Sequence, residues 1–504
     1  MNRAIPPSPL RSLPGRLLLA AVVVVGVACM PRDIYPGDPV TMREETRAIL
    51  LRGELAVSDV VVRNYAATGE PGQYVVDNPR NGRSYSKYGS MAAWLYLIPM
   101  GLEKLVEGDL PPFGSQRQIV YLNVFNVVLS LLVAASLFRT AQRFGAAPWA
   151  AAAYVALCFY ATFLWNYLRA QNSEIMQLLL CAWAVTAFLD VVDARRQGLG
   201  GGSSVVRLWL SCAALLLTKV AYLLIGPLFA VGLMVDRKNR LGGSWLAAFV
   251  AEAKVHLLPA SIAVGVWLGV NTVKFGSPWR TGYHVWRPEI HGFTGDVFEA
   301  LYHLLFTPQW GLGFCFPVLF LALPFIGRWC RQDPVRYGTL LGIGLTYLLL
   351  IGMLPSWRGE MCYGPRYWLF VLPFVSLPAL DAIKSLASGT RPAWVALVLV
   401  GAGLMYSTAL QWQVNRHSFF AFYALRGPFE QTAGLTAASY FLNHSYGRVL
   451  WDFSRAQDRL SDLPWWKEMK ARLRPQDAEA YEKHVRAVLA GNNLFWFTQE
   501  RSAR

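Results

Sequence analysis

The sequence predicts an all-α polytopic membrane protein, and three observations predict it. The 504 residues are 54% hydrophobic and only 15% charged, whereas a soluble domain carries roughly 25% charged residues. The apolar residues form unbroken runs of about 18–25 positions, long enough to cross a bilayer core as helices. Arg and Lys gather in short loops between those runs. Lipid admits only helices or closed barrels, and continuous rather than alternating apolar runs select helices.

The first run, residues 17–35, follows Arg3, Arg11 and Arg16, charges that place the N-terminus in the cytoplasm. Cys29 closes the stretch VVVVGVAC, which faintly resembles a lipoprotein cleavage site. It reads better as a residue near the end of a first membrane helix. A cleaved signal peptide would remove a helix the topology needs.

A long segment, residues 36–118, separates this run from the next. It holds an amphipathic stretch, TMREETRAILLRG, with Met42, Ile49 and Leu50 on one side. It also holds GSMAAWLYLIPMGLEKLV, apolar but short for a span, which reads as a helix lying on the outer leaflet. Later spans are expected near residues 119–137, 149–164, 175–192, 208–217, 222–235, 257–273, 312–326, 339–354, 368–380 and 393–410. Two short helices meet at one membrane face around Lys219.

This arrangement puts Arg139, Arg143, Arg195, Arg196, Arg207, Arg237, Lys238, Arg240, Arg328, Arg331, Arg336, Lys384 and Arg391 on the side of the N-terminus, as the positive-inside rule requires. It implies about eleven spans, with the N-terminus cytoplasmic and the C-terminus outside. Residues 1–410 form the membrane domain, with a large first outer loop. Residues 411–504 turn polar and read as a small soluble extension. RRQGLGGGSS is a flexible cytoplasmic loop.

The net charge of +16 invites a nucleic-acid reading, but the cations sit where they orient membrane helices. The seven cysteines show no Cys-x-x-Cys or Cys/His ligand spacing, so no structural zinc is expected. Cys158, Cys181 and Cys212 lie inside apolar runs as small hydrophobes.

Chemistry is sought on the outer face. Asp38 lies just past the first span. A carboxylate there can act as a general base, or it can cap a helix, since Pro39 follows it. The segment NGRSYSKYGSMAAW carries Tyr85 and Lys87. A cation among interfacial aromatics either holds a lipid phosphate or anchors the chain. Glu174 enters an apolar run and should be paired or functional, with Arg169 as the candidate partner. Lys219 interrupts another apolar run and gets the same two readings. Two late outer loops carry Arg280, His284 and His291, then Arg358, Glu360 and Arg366. Two histidines seven apart without a carboxylate cluster give no basis for a metal site. Many cations and few acids on one face suit a reaction whose leaving group is a phosphate. Arg forks match phosphate oxygens, and fixed cations can meet the leaving charge without a general acid.

Ordered motifs add a resemblance. Asp38 precedes Gly53 of LLRGELAV by fifteen residues. YSKYGS, LLLTKVAYLL, KFGSPWRTGY, LLFTPQWGLGFCFPVLFLALP and WRGEMCYGPRYWLFVLPF then follow in order. Over residues 17–380 the chain resembles the GT-C superfamily of lipid-carrier-dependent glycosyltransferases, near the protein mannosyltransferase and aminoarabinose transferase group. The resemblance implies an inverting transfer with Asp38 as base. It implies that Lys87, Arg366 and Arg280 hold the carrier phosphate, with Tyr85, Glu174, Lys219, Arg358 and Glu360 as further pocket candidates. Two departures stand out: Pro39 follows Asp38 where an acid is usual, and Gly89 and Ser90 replace prolines after Lys87.

The expected function is therefore transfer of a sugar from a polyprenyl-phosphate carrier to an envelope glycan, lipid or protein at the periplasmic face of a bacterial inner membrane. The partners are the lipid-linked donor, the acceptor and membrane lipids. No cofactor or nucleic acid is expected. The alternative is a transporter or flippase of an envelope precursor, which would place Glu174 and Lys219 at mid-membrane in broken helices, with internal repeats. No repeat is evident in the sequence.

Overall fold

A computed structural model of the chain describes residues 8–32, 38–58, 74–111, 115–199, 201–242, 244–284, 292–358, 362–387, 391–417, 421–422, 424–425, 444–456, 475–490 and 494. The chain enters with α1 (Leu13–Ala28), whose N-terminus is capped by Ser12, its hydroxyl accepting from the Gly15 amide. Then come α2 (Asp38–Arg52) and a two-stranded antiparallel ribbon, β1 (Val75–Asp77) and β2 (Ser84–Ser86). The ribbon is a small exception to the all-α expectation. Helix α3 (Met91–Glu107) covers the segment read as lying on the outer leaflet.

The bundle proper runs through α4 (Gln116–Arg143), α5 (Pro148–Tyr160), α6 (Leu164–Arg169), α7 (Glu174–Arg196), α8 (Gly202–Thr218), α9 (Ile225–Leu241) and α10 (Trp245–Phe275). It continues with α11 (Val297–Phe306), α12 (Leu312–Cys315), α13 (Val318–Gln332), α14 (Arg336–Gly352), α15 (Leu372–Val375), α16 (Ala379–Leu386) and α17 (Arg391–His417). Beyond it lie α18 (Tyr446–Arg455) and α19 (Pro475–Ala490).

Among the described residues, four helical segments are long and apolar enough to cross a membrane: Arg117–Arg143, Glu174–Arg196, Val220–Leu241 and Trp245–Phe275. Shorter apolar helices cover Leu13–Ala28, Pro148–Tyr160, Gly202–Thr218, Val297–Phe306 and Arg336–Gly352. Several expected spans are interrupted. The run at 368–380 breaks into a 3-10 turn (Arg366–Trp368), α15 and α16, because Pro373 and Pro378 cannot donate inside a continuous helix. Pro317 likewise separates α12 from α13. Helix α11 was not expected at all.

The core centres on α7, which is buried along nearly its whole length and packs against α4 and α8. Helix α10, by contrast, turns Leu257, Leu258 and Ile262 outward. An apolar outward face on a long helix is one that acyl chains cover.

Ion pairs tie the basic loops together at one end of the bundle. Arg195 meets Glu252 at 2.7 Å, Arg207 meets Asp190 at 3.1 Å, Arg196 meets Asp333 at 3.3 Å and Arg336 meets Asp193 at 3.4 Å. Arg143 also pairs with Asp190. Loops distant in sequence thus share one face. Glu174 starts α7 and Arg195 lies in its last turn, so the two are separated by roughly 30 Å at 1.5 Å per residue. Lys219 follows the last residue of α8, and Lys274 lies in the last turn of α10. Both are thereby carried to the end opposite the basic loops.

Candidate active site

Asp38 is the first residue of α2, where the positive end of the helix dipole favours a carboxylate. Its side chain reaches across to other elements. Oδ1 accepts a short hydrogen bond from the Tyr88 hydroxyl, and Oδ2 lies 3.9 Å from Arg366 Nη1. Burial, reinforced by the Asp38 charge, raises the Tyr88 phenol well above its ordinary value. The phenol therefore stays protonated and donates to the carboxylate.

Arg366 bridges two acids. The same Nη1 lies 3.7 Å from Glu174 Oε1, and Lys219 Nζ lies 3.8 Å from that oxygen. Glu174 is thus partnered by Lys219 and Arg366. The expected partner, Arg169, instead donates to the carbonyls of Cys29, at 2.7 Å, and Asn415. Lys219 has extended backbone between α8 and the 3-10 turn Val220–Leu224, and this break aims its ammonium at the cluster. Lys219 and Arg366 both sit over the Tyr367 ring, at 5.2 Å. The Arg366 Nε is buried with no hydrogen-bond partner among the described residues. An unfilled donor on a buried guanidinium suits an anionic oxygen.

Lys87 lies on the strap that leaves β2. Its ammonium is 5.2 Å from the Tyr88 ring and 5.5 Å from the Tyr283 ring. Two close approaches fix this strap. A Cβ at Gly89 would lie 1.9 Å from the Leu217 carbonyl oxygen, and one at Gly282 would lie 2.2 Å from the Lys87 carbonyl oxygen. The glycine that replaces a proline after Lys87 therefore has a steric reason: backbone passes where a side chain would be. Gly89→Ala should displace Lys87 from its ring cage and, on the phosphate-holding role the resemblance implies for Lys87, raise the KM for a lipid-linked donor by roughly tenfold or more, since misplacing a positioning group by about 1 Å can cost ~100-fold. Steady-state kinetics at matched folded protein check this.

Ser90, beside Gly89 in the same departure, donates to Glu45 Oε1 at 2.5 Å. Glu45 Oε2 in turn accepts from Lys274 Nζ at 2.7 Å, and the same ammonium donates to the Tyr88 carbonyl at 2.6 Å. This ion pair is fully buried. It secures the strap at Tyr88 and Ser90, directly after Lys87. Sequence reasoning missed the pair. The available signals were the spacing of Glu45 two turns after Asp38 on one helix face, and a lysine ending a long apolar run.

Lys87, Lys219 and Lys274 line one pocket together with Leu216, Leu217 and Trp267. Lysines thus sit beside an apolar wall in a small cavity.

Other expected residues lie elsewhere. Tyr85, in β2, receives the Asn81 amide at 3.0 Å, because strand alternation turns it away from Ser86 and Ser84. Arg358 pairs with Glu299 at 3.0 Å and stacks over Trp357 and Trp310 at 5.0 and 5.3 Å. Arg280 makes no ion pair among the described residues, although the turn after it packs on Lys87. His284 faces Thr281. Glu360 and His291 lie outside the described residues.

No family model matches the sequence, and no curated protein matches it. Solved structures do. The archaeal oligosaccharyltransferase AglB from Archaeoglobus fulgidus, in complex with an inhibitory peptide and a dolichol-phosphate, aligns with a TM-score of 0.52 at 12% identity. The alignment covers 85% of this chain and 59% of that one. This chain has the GT-C fold. The apo form of the archaeal enzyme gives the same TM-score at 11% identity, over 85% of this chain and 59% of that one. ArnT from Cupriavidus metallidurans, bound to undecaprenyl phosphate, aligns over 93% of this chain and 84% of that one, at 14% identity and a TM-score of 0.48. The resemblance read from the ordered motifs is borne out at the level of the GT-C fold, and the chain spans less than two thirds of the archaeal enzyme.

Proposed function

We propose that this chain is an inverting glycosyltransferase of the bacterial inner membrane, acting at the periplasmic face with its N-terminus in the cytoplasm and its C-terminus outside. The donor is a sugar on a polyprenyl-phosphate carrier and the acceptor is a hydroxyl of an envelope glycan, lipid or protein. Asp38 takes the acceptor proton as the hydroxyl oxygen attacks the anomeric carbon. The bond from that carbon to the carrier phosphate breaks, and polyprenyl phosphate leaves with the electron pair. A single displacement inverts the configuration. Lys87, Lys219 and Arg366 meet the developing phosphate charge, so no general acid is required. Arg280 is a reserve cation at the edge of the Lys87 turn. The displacement as written uses no organic cofactor.

One observation carries this reading: the Asp38 carboxylate and the Arg366 guanidinium face each other at 3.9 Å, at the bundle end remote from the basic loops. The transport alternative expects Lys219 at a helix break, and it is at one. It also expects mid-membrane charges, whereas Glu174 is the first residue of a 23-residue helix. The test is to reconstitute the protein with a panel of polyprenyl-phosphate sugars and measure release of polyprenyl phosphate, alongside mass spectrometry of envelope lipids and glycans from a deletion strain. Release dependent on an acceptor, and one missing glycan, are expected. Vesicle-to-vesicle movement of intact donor without release would favour transport.

A further inference from the structure

The segment beyond α17 takes no part in the chemistry above, yet it packs on the turn that delivers Arg366. Helix α18 begins with Tyr446, which is fully buried. Its hydroxyl donates to the Cys362 carbonyl at 2.9 Å. Its ring meets the Tyr363 ring edge-on at 5.1 Å and the Phe422 ring at 4.1 Å. The next residue, Gly447, lies so close to α17 that a Cβ there would be 2.5 Å from the Leu410 carbonyl oxygen. Helix α18 is therefore seated directly on the bundle.

The same turn is held from the membrane side. Tyr167 donates to the Tyr363 carbonyl at 2.8 Å, and the Tyr363 hydroxyl donates to Gln411 of α17 at 2.6 Å. Gly364 has φ of +64°, a left-handed conformation that suits glycine. The Arg366 amide then donates to the Gly364 carbonyl at 2.9 Å. Five residues thus lead from a carbonyl held by Tyr446 to the guanidinium between Asp38 and Glu174. Leu494 returns to the segment after α1, where it bridges to Pro31.

We propose that the C-terminal segment is a positioning element of the active site, with Tyr446 as its key residue. It acts through the Cys362–Gly364 turn to set Arg366 against the carrier phosphate. This rests on the function proposed above, so the experiment includes a readout that needs no transferase activity.

Tyr446→Phe removes one hydroxyl and keeps the ring. The full-length variant should raise the KM for a polyprenyl-phosphate sugar by roughly three- to tenfold, the scale of one lost hydrogen bond, and leave the acceptor KM unchanged. Combined with Arg366→Lys, the two effects should be less than additive, because both act through one side chain. Arg448→Ala, on the exposed face of α18 beside Tyr406, should leave the donor KM unchanged. Independently, the rate at which a maleimide labels Cys362, followed by peptide mass spectrometry, should rise in Tyr446→Phe, since Cys362 is 2% exposed in the native protein. Unchanged labelling and unchanged donor KM would overturn the proposal. So would faster labelling with an unchanged donor KM in an active enzyme, which marks a purely structural contact. If the wild-type protein transfers nothing, the glycosyltransferase reading fails, while Cys362 labelling still decides whether Tyr446 holds the turn. If Tyr446→Phe does not fold, Phe422→Leu, which removes the ring packed on Tyr446 at 4.1 Å, should raise the donor KM and Cys362 labelling together; no change in either overturns the proposal.

Discussion

Asp38→Asn lowers turnover by roughly two to four orders of magnitude, the range for losing a general base, while the KM for the lipid-linked donor changes little. The carboxamide keeps the shape of the carboxylate and can still accept from Tyr88. It cannot take a proton from the acceptor hydroxyl. Donor binding survives because the proposed phosphate contacts are made by Lys87, Lys219 and Arg366, none of which needs the acid in order to bind an anion. Single-turnover kinetics with labelled donor, beside an equilibrium binding measurement, separate the two quantities. A mutant that binds and turns over like the wild type would remove Asp38 from the chemistry.

Lys274→Met destabilises the folded protein by about 3–5 kcal/mol, the usual consequence of leaving one half of a buried ion pair uncompensated. Glu45, buried beside Lys274, would lose its ionic partner, and the Tyr88 carbonyl would lose a donor. The strap holding Lys87 and Tyr88 would slacken, so activity should fall with stability. The double variant Lys274→Met/Glu45→Leu removes both charges and should recover most of the folded yield. It should not recover full activity, since the bridge from the Tyr88 carbonyl through Lys274 to α10 is then lost. Thermal unfolding in detergent, monitored by size exclusion, measures the stability. A double variant no better than Lys274→Met would show that the charge left on Glu45 is not the cause.

Much of the membrane architecture was legible because lipid imposes a pattern on sequence. Apolar runs mark helices, and clustered cations mark the loops at one end. Asp38 and Lys87 were legible because a charge beside an apolar run needs a reason. Less visible were contacts whose partners are far apart in sequence. Glu45 and Lys274 are 229 positions apart, and neither carries a local mark of its pairing. Glu174 was assigned to the nearby Arg169, yet the helix break at Lys219 brings a more distant cation to it. The expected span at 368–380 read as continuous because Pro373 and Pro378 sit among strongly apolar neighbours, and apolarity outweighed the breakers. Gly89 and Ser90 looked like losses from a motif. In the fold they are a backbone crossing and a hydrogen-bond donor.

The central claim is that Asp38, Lys87 and Arg366 converge on a carrier phosphate at the end of the bundle away from the basic loops. The most direct measurement is a cryo-electron-microscopy structure in a lipid nanodisc with a polyprenyl phosphate bound. Density for the phosphate within hydrogen-bond reach of Lys87 and the Arg366 Nε, with the hydrocarbon chain running out past Leu216 and Trp267, is the predicted result. A phosphate bound among Arg143, Arg195 and Arg336 at the opposite end would contradict it.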